Sequence, residues 1–203
     1  MVKTSLTRKR KCLPLSGEAQ VCRGGNIRRM HVRHETTGQD LRARLVHQHE
    51  GPPAILEALH RELAEFWRVH SGPESPQYSR QLVVYGSFLL DQHKPVEAGS
   101  VLRDGLLIRE KTEADNWTTF NTRSLLGSSL LDQKNFAEAE PLLLSGYEGL
   151  QQRKKIIPPA SQIRVAEALT RLARLYDEWG QPEKGDEWRK QMATGNSRTV
   201  PNQ

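Results

Sequence analysis

Cys12, Cys22, His31 and His34 are the soft-ligand series of this chain, and they run as Cys-x9-Cys-x8-His-x2-His. Zinc sites built on a tight turn place their first two cysteines about two to four residues apart, so this spacing does not form the usual knuckle. No metal or other cofactor is expected. His60-Arg61-Glu62 echoes the His-Arg-Asp of a kinase catalytic loop, yet it falls in the middle of a helical apolar pattern and lacks the Asn that should follow. The chain has no glycine-rich phosphate loop ending in Lys and Ser or Thr, no G-x-S-x-G and no H-E-x-x-H. Asp177 and Glu178 are adjacent carboxylates, which read as an exposed helix face rather than an acid–base pair. His47, His49, His70 and His93 stand among polar neighbours and read as surface residues. The expected class is therefore non-catalytic.

What the sequence does carry is a repeat. Gly86, Ser87, Leu89, Leu90, Asp91 and Gln92 return as Gly127, Ser128, Leu130, Leu131, Asp132 and Gln133, a displacement of 41 residues. Glu97, Ala98, Leu102 and Gly105 return as Glu138, Ala139, Leu143 and Gly146 at the same offset. A repeat of this length is one supersecondary unit that cannot bury its apolar face alone and must stack on neighbours. Leu82, Tyr85, Gly86 and Leu89 fall at i, i+3, i+4 and i+7, and a second helical run follows at Ala98, Val101, Leu102, Gly105 and Leu106. Each unit is thus two helices. The joints are short, Gln92 to Pro95 and Gln133 to Asn135, which forces the helices antiparallel. Pro95 suits a first helical turn, and Asn135 with Glu138 forms an Asn version of the capping box. Gly86, Gly127 and Ala173 are expected where one helix closely crosses its partner, opposite Ala98, Ala139 and Gly185.

The order Leu126, Gly127, Leu130, Ala139, Leu143 resembles the tetratricopeptide repeat, with Tyr85, Gly86, Leu89, Ala98, Leu102 as a first unit. Leu172, Ala173, Tyr176, Gly185 and Arg189 make a degenerate third. The 41-residue period is similar to the kinesin-light-chain-like subclass. The run from Trp117 to Trp188 resembles the C-terminal tetratricopeptide region of large bacterial serine/threonine protein kinases and related signalling proteins. The resemblance implies an all-α fold, a short α-solenoid of antiparallel helix pairs over residues 51–193, and a protein-interaction function. It implies a concave face that takes a peptide or partner helix, lined by Arg80, Val83, Ser87 and Leu90 in the first unit. Asn121, Ser124, Ser128 and Leu131 follow in the second, and Thr170, Arg174 and Asp177 in the third. The Lys and Asn pattern that clamps a C-terminal carboxylate in chaperone-binding members is missing.

Flanking segments complete the reading. Ile55, Leu56, Leu59, Leu63, Phe66, Trp67 and His70 mark one face of a helix after Pro52 and Pro53, expected as the surviving second helix of an upstream unit. Pro158 and Pro159 interrupt the chain before a helix near Gln162–Trp179 and a charged terminal helix ending near Met192. Residues 1–50 hold eleven Lys and Arg against four Asp and Glu, so the whole basic excess is there. With few large apolar residues and no sustained period, this segment reads as a disordered basic tail, and residues 194–203 as a disordered C-terminal tail. The tail offers the one route to nucleic acid, and a regulatory fragment of a kinase signalling protein is the other alternative. No stretch approaches the ~20 apolar residues of a membrane helix, nor the roughly 7 to 15 of a signal peptide, so a cytoplasmic location is expected.

Overall fold

The computed structural model describes residues 37–47 and 52–194; the cysteines, His31, His34 and most of the basic segment lie outside them. Among the described residues every regular element is helical: α1 (Gly38–His47), α2 (Pro53–Ser71), α3 (Pro76–Asp91), α4 (Pro95–Thr112), α5 (Trp117–Asp132), α6 (Phe136–Gln152), α7 (Ile163–Glu178) and α8 (Pro182–Thr194). A single 3₁₀ turn, Pro159–Ser161, precedes α7. They pack as consecutive pairs, α1 with α2, α3 with α4, α5 with α6 and α7 with α8, and each pair rests on the next through α2–α3, α4–α5 and α6–α7. The first helices of successive pairs also meet, α3 with α5 and α5 with α7. This is an α-solenoid.

The repeat accounts for the core. Leu89 and Leu130, Ala98 and Ala139, Leu102 and Leu143 are all buried, as equivalent positions must be if each unit packs alike. A Cβ placed on Gly86 would come within 2.5 Å of Leu102 Cγ, and one on Gly127 within 2.6 Å of Leu143 Cγ. The expected close crossing is therefore present, and the residue it accommodates is the repeat's own leucine. A second approach, not anticipated, lies at Gly146, where a Cβ would meet the backbone of α5 at Ser124 N (2.8 Å) and Phe120 O (2.9 Å).

The 41-residue offset extends to the ends of the helices. Ser75 caps α3 by accepting from the Tyr78 N–H, and Asn116, 41 residues on, caps α5 by accepting from the Thr118 N–H. The turns inside the pairs repeat as well. His93 (φ 55°), Lys134 (φ 63°) and Gly180 (φ 76°) take the left-handed conformation at equivalent positions of three units. At the first, the His93 N–H donates to Leu90 O and the Lys94 N–H to Leu89 O; Lys134 to Leu131 O and Asn135 to Leu130 O do the same in the second. These are Schellman caps, which bend the chain back after satisfying the last free carbonyls of the helix. Asn135 makes no side-chain cap, contrary to the expected capping box: the turn that delivers it leaves its backbone at φ −88°, ψ 69°.

The N-terminal boundary of the helical unit lies before residue 51. Within the segment expected to be wholly disordered, Thr37 and Asp40 form a reciprocal capping box, Asp40 N–H to Thr37 Oγ1 at 3.2 Å and Thr37 N–H to Asp40 Oδ2 at 3.0 Å. The helix they start buries Leu41 and seats Gly38 against Phe66. On α2, Leu56, Leu59 and Leu63 are buried as expected, whereas Ile55 is exposed. At the far end the third unit departs from the pattern. Arg189, where the earlier units have Leu102 and Leu143, reaches Asp177 (2.5 Å) and Asp186 (2.6 Å) at the surface. Trp188 takes the buried place, edge-on to Tyr147 at 5.5 Å.

Candidate functional site

Because α3, α5 and α7 lie side by side, one wall of the solenoid is made of first helices alone, and a concavity of about 560 Å³ opens along it. Its sides are Ser87, Leu90 and Asp91 from α3, Leu125, Ser128 and Asp132 from α5, and Arg164, Glu167, Arg171 and Arg174 from α7, with His93 at the rim. The repeat explains the opening. Ser87, Ser128 and Arg174 occupy one equivalent position, so two of the three helices present a hydroxymethyl where a larger side chain would close the gap. The volume is within the usual range of ligand sites, but the lining is polar and charged rather than apolar.

Ionic contacts tie the third helix to the second across this wall. Arg174 reaches Asp132 at 2.6 Å and Glu178 at 2.6 Å, and Lys134 reaches Glu178 at 2.6 Å. Burial works to raise the Glu178 pKa, but Lys134 and Arg174 outweigh it and hold the carboxyl below its ordinary value. Arg164 pairs with Glu167 at 2.8 Å, and the more buried Arg171 donates to Ser124 Oγ at 3.1 Å and to Glu167 at 3.3 Å. Burial pulls the Arg171 guanidinium below its usual pKa, and Glu167 offsets this only in part.

Of the face expected from the sequence, Ser87, Leu90, Ser128 and Arg174 are brought together here. The others are not. Val83, Ser124 and Leu131 are buried: Val83 packs over Gly105, Ser124 hydrogen-bonds Arg171, and Leu131 belongs to the core shared with α6 and α7. Thr170 and Asp177 face α8, Thr170 at 3.8 Å from Met192 Sδ and Asp177 bound to Arg189. Arg80 is exposed outside the cavity, and Asn121 is half-buried with its Oδ1 unpartnered. The physical reason is one of rotation: the cavity meets α5 at Leu125, Ser128 and Asp132, at i, i+3 and i+7, sharing Ser128 with the expected stripe and lying roughly 50° around the helix from it. Sequence reasoning missed Arg164, Glu167 and Arg171. The signal that could have turned the face correctly was the identity of Asp91 and Asp132, charged residues held in register on both first helices.

Elsewhere, His60 is buried, stacked on Tyr85 with ring centroids 5.8 Å apart and 3.3 Å from Gln81 Nε2, and burial lowers its pKa. It also packs against Phe88, with ring centroids 4.7 Å apart. Among the described residues no three metal-ligating side chains converge, and no helix is long and apolar enough to cross a membrane.

No protein-family model matches this chain, and no curated protein matches it. Among solved structures it is similar to BtubC (BKLC) from P. vanneervenii, with a TM-score of 0.53 and 12% identity, covering 83% of this chain and 77% of that one. At that identity the likeness is one of fold, and the fold it supports for this chain is a helical repeat.

Proposed function

We propose that this chain is a non-catalytic protein-interaction module of the tetratricopeptide type, close to the kinesin-light-chain-like subclass, that holds a peptide or partner helix in the concavity formed by α3, α5 and α7. The observation that carries this reading is the continuous polar wall crossing three repeat units, opened by Ser87 and Ser128 and edged by Arg174. A surface assembled from several units in series suits an extended ligand, which can touch each helix in turn. The similarity to another helical-repeat protein supports the scaffold reading. Affinity capture with the full-length protein, the segment from Thr37 onward and the cavity-filling variant Ser87→Trp tests it. A partner held by the first two and lost by the third is expected; capture unchanged by Ser87→Trp, with that variant's melt intact, would move the binding face elsewhere.

A further inference from the structure

A second cavity, of about 260 Å³, opens on the opposite face of α7, between the ends of α6 and α8. Its floor is apolar and buried, made by Tyr147, Val165 and Leu169, while Lys154, Ala166 and Met192 stand exposed around it. The repeat shows what is missing. Ala166 lies 46 residues after Phe120, the offset that separates the start of α7 at Ile163 from that of α5 at Trp117. In the second unit the Phe120 ring takes the equivalent place, lying so close over α6 that a Cβ on Gly149 would overlap it. The Arg123–Glu110 ion pair (3.0 Å) bridges α5 to α4 beside it, with the guanidinium 5.1 Å from the ring centroid. The third unit differs in both parts: Ala166 stands for the ring, and Leu169 and Gln151 stand for the ion pair. A ring removed from helices that keep their register leaves a space of its own shape. At about 260 Å³ that space is below the roughly 300–1,000 Å³ of whole-ligand sites and above the roughly 150 Å³ that accepts a benzene, so it suits one aromatic side chain.

We propose that this cavity is a second docking point, independent of the concave wall, for a phenylalanine side chain of a partner peptide that carries Asp or Glu next to it. Charge sets the neighbour. Among the described residues Lys154 is the one charged side chain that lines the cavity, and no carboxylate pairs with it, whereas the adjacent Arg153 is held by Asp115. Position 154 is the repeat equivalent of Glu113, so the sign of the charge here is particular to the third unit and complements an acid. Ile163, next in sequence to the lining residue Gln162, is 60% exposed and offers the peptide further apolar surface to cover.

The cavity-filling variant Ala166→Phe tests the fit without any partner. If the space is the one that Phe120 fills in the second unit, the variant should unfold at a urea concentration equal to or above that of wild type. A lower midpoint would show that no ring fits and overturn the proposal. A library of random twelve-residue peptides, panned on the full-length protein and depleted on Ala166→Phe, tests the docking. Peptides held by wild type alone are expected to share Phe beside Asp or Glu. In a synthetic peptide from that set, replacing the Phe by Ala should weaken binding roughly tenfold or more. Lys154→Gln in the protein should weaken the same peptide several-fold and remove the preference for the acid. Ser87→Trp should leave its binding unchanged, which separates this cavity from the concave wall. A fixed residue that is aliphatic or polar, binding indifferent to Lys154→Gln, or peptides that all bind Ala166→Phe as well as wild type would each overturn the proposal. Peptides of that last kind, if lost on Ser87→Trp, would still support the concave wall.

Discussion

Gly127→Ala adds one methyl group, and its consequence can be worked from the packing. In the middle of α5 the change should gain about 1 kcal/mol of helix propensity. The new Cβ, however, would lie 2.6 Å from Leu143 Cγ, 2.9 Å from its Cδ2 and 3.2 Å from its backbone N. The side-chain contacts could be relieved by a rotamer change, but Leu143 is fully buried in a filled core, and the backbone contact requires α6 to move. Overpacking of this kind costs about 1–3 kcal/mol, so the net effect is a loss of up to about 2 kcal/mol. For a domain of this size that lowers Tm by up to about 8 °C. Leu143→Ala alone should cost about 2–5 kcal/mol through the cavity it leaves. Because the methyl group added at position 127 would enter that cavity, the double variant should be more stable than the sum of the two losses by about 1 kcal/mol or more. Urea unfolding followed by far-ultraviolet circular dichroism on the four proteins gives the cycle. Gly127→Ala more stable than wild type, or strictly additive losses, would refute the contact between the two halves of the repeat. Gly127→Leu, several atoms larger, should lower the melt more sharply still.

Four further outcomes are expected. His93→Gly should stabilise by about 1 kcal/mol, since φ 55° suits glycine better than histidine, while Gly180→Ala should destabilise by a similar amount; the same urea titration measures both. Arg109 is buried in the α4–α5 seam, donating only to the neutral Thr118 O (2.7 Å) and Thr122 Oγ1 (3.0 Å), and burial brings its pKa down to about 10. The repeat fills the equivalent place with Leu150, so Arg109→Leu should be neutral or stabilising by up to about 2 kcal/mol, and a loss above about 1 kcal/mol would contradict the seam as described. His60 is depressed by burial, so below its unfolded value near pH 6.5 the unfolded chain binds the extra proton. Stability should therefore fall as pH drops from about 6.5, and His60→Phe should flatten that slope in unfolding curves collected across the interval. Arg174→Ala removes a half-exposed guanidinium and leaves Glu178 its second partner, Lys134, so the stability loss should stay within about 1 kcal/mol while capture of a concave-face partner weakens.

The fold was legible where a residue's identity is dictated by contact with its own repeat. Gly86 and Gly127 admit no side chain because Leu102 and Leu143 press on them, and the two pairs recur together at one offset. The turns were half legible: their length could be read, but the left-handed residue is a His in one copy and a Lys in another, and only Gly180 carries the usual signature. The first helix was obscured by charge. Gly38–His47 holds Arg42 and Arg44 and one fully buried leucine, too little apolar periodicity to stand out, although Thr37 and Asp40 announced its start. The face of the groove was the least legible part. A helix rotates about 100° per residue, so a stripe displaced by roughly half that takes in the buried Ser124 and Leu131 and leaves out Asp132. The cavity's arginines all come from the degenerate third unit; the register placed Arg174, whereas Arg164 and Arg171 have no like residue in the earlier units to point to them.

The packing of matched helix pairs, on which the concave wall depends, is most directly tested by a methyl nuclear Overhauser spectrum of the protein with labelled leucines. Strong cross-peaks are expected from Leu102 methyls to Gly86 Hα and from Leu143 methyls to Gly127 Hα, in the same spectrum and with similar intensity. Absence of either pair, or Leu143 methyls contacting Gly86 instead, would contradict the stacked-pair architecture and with it the site.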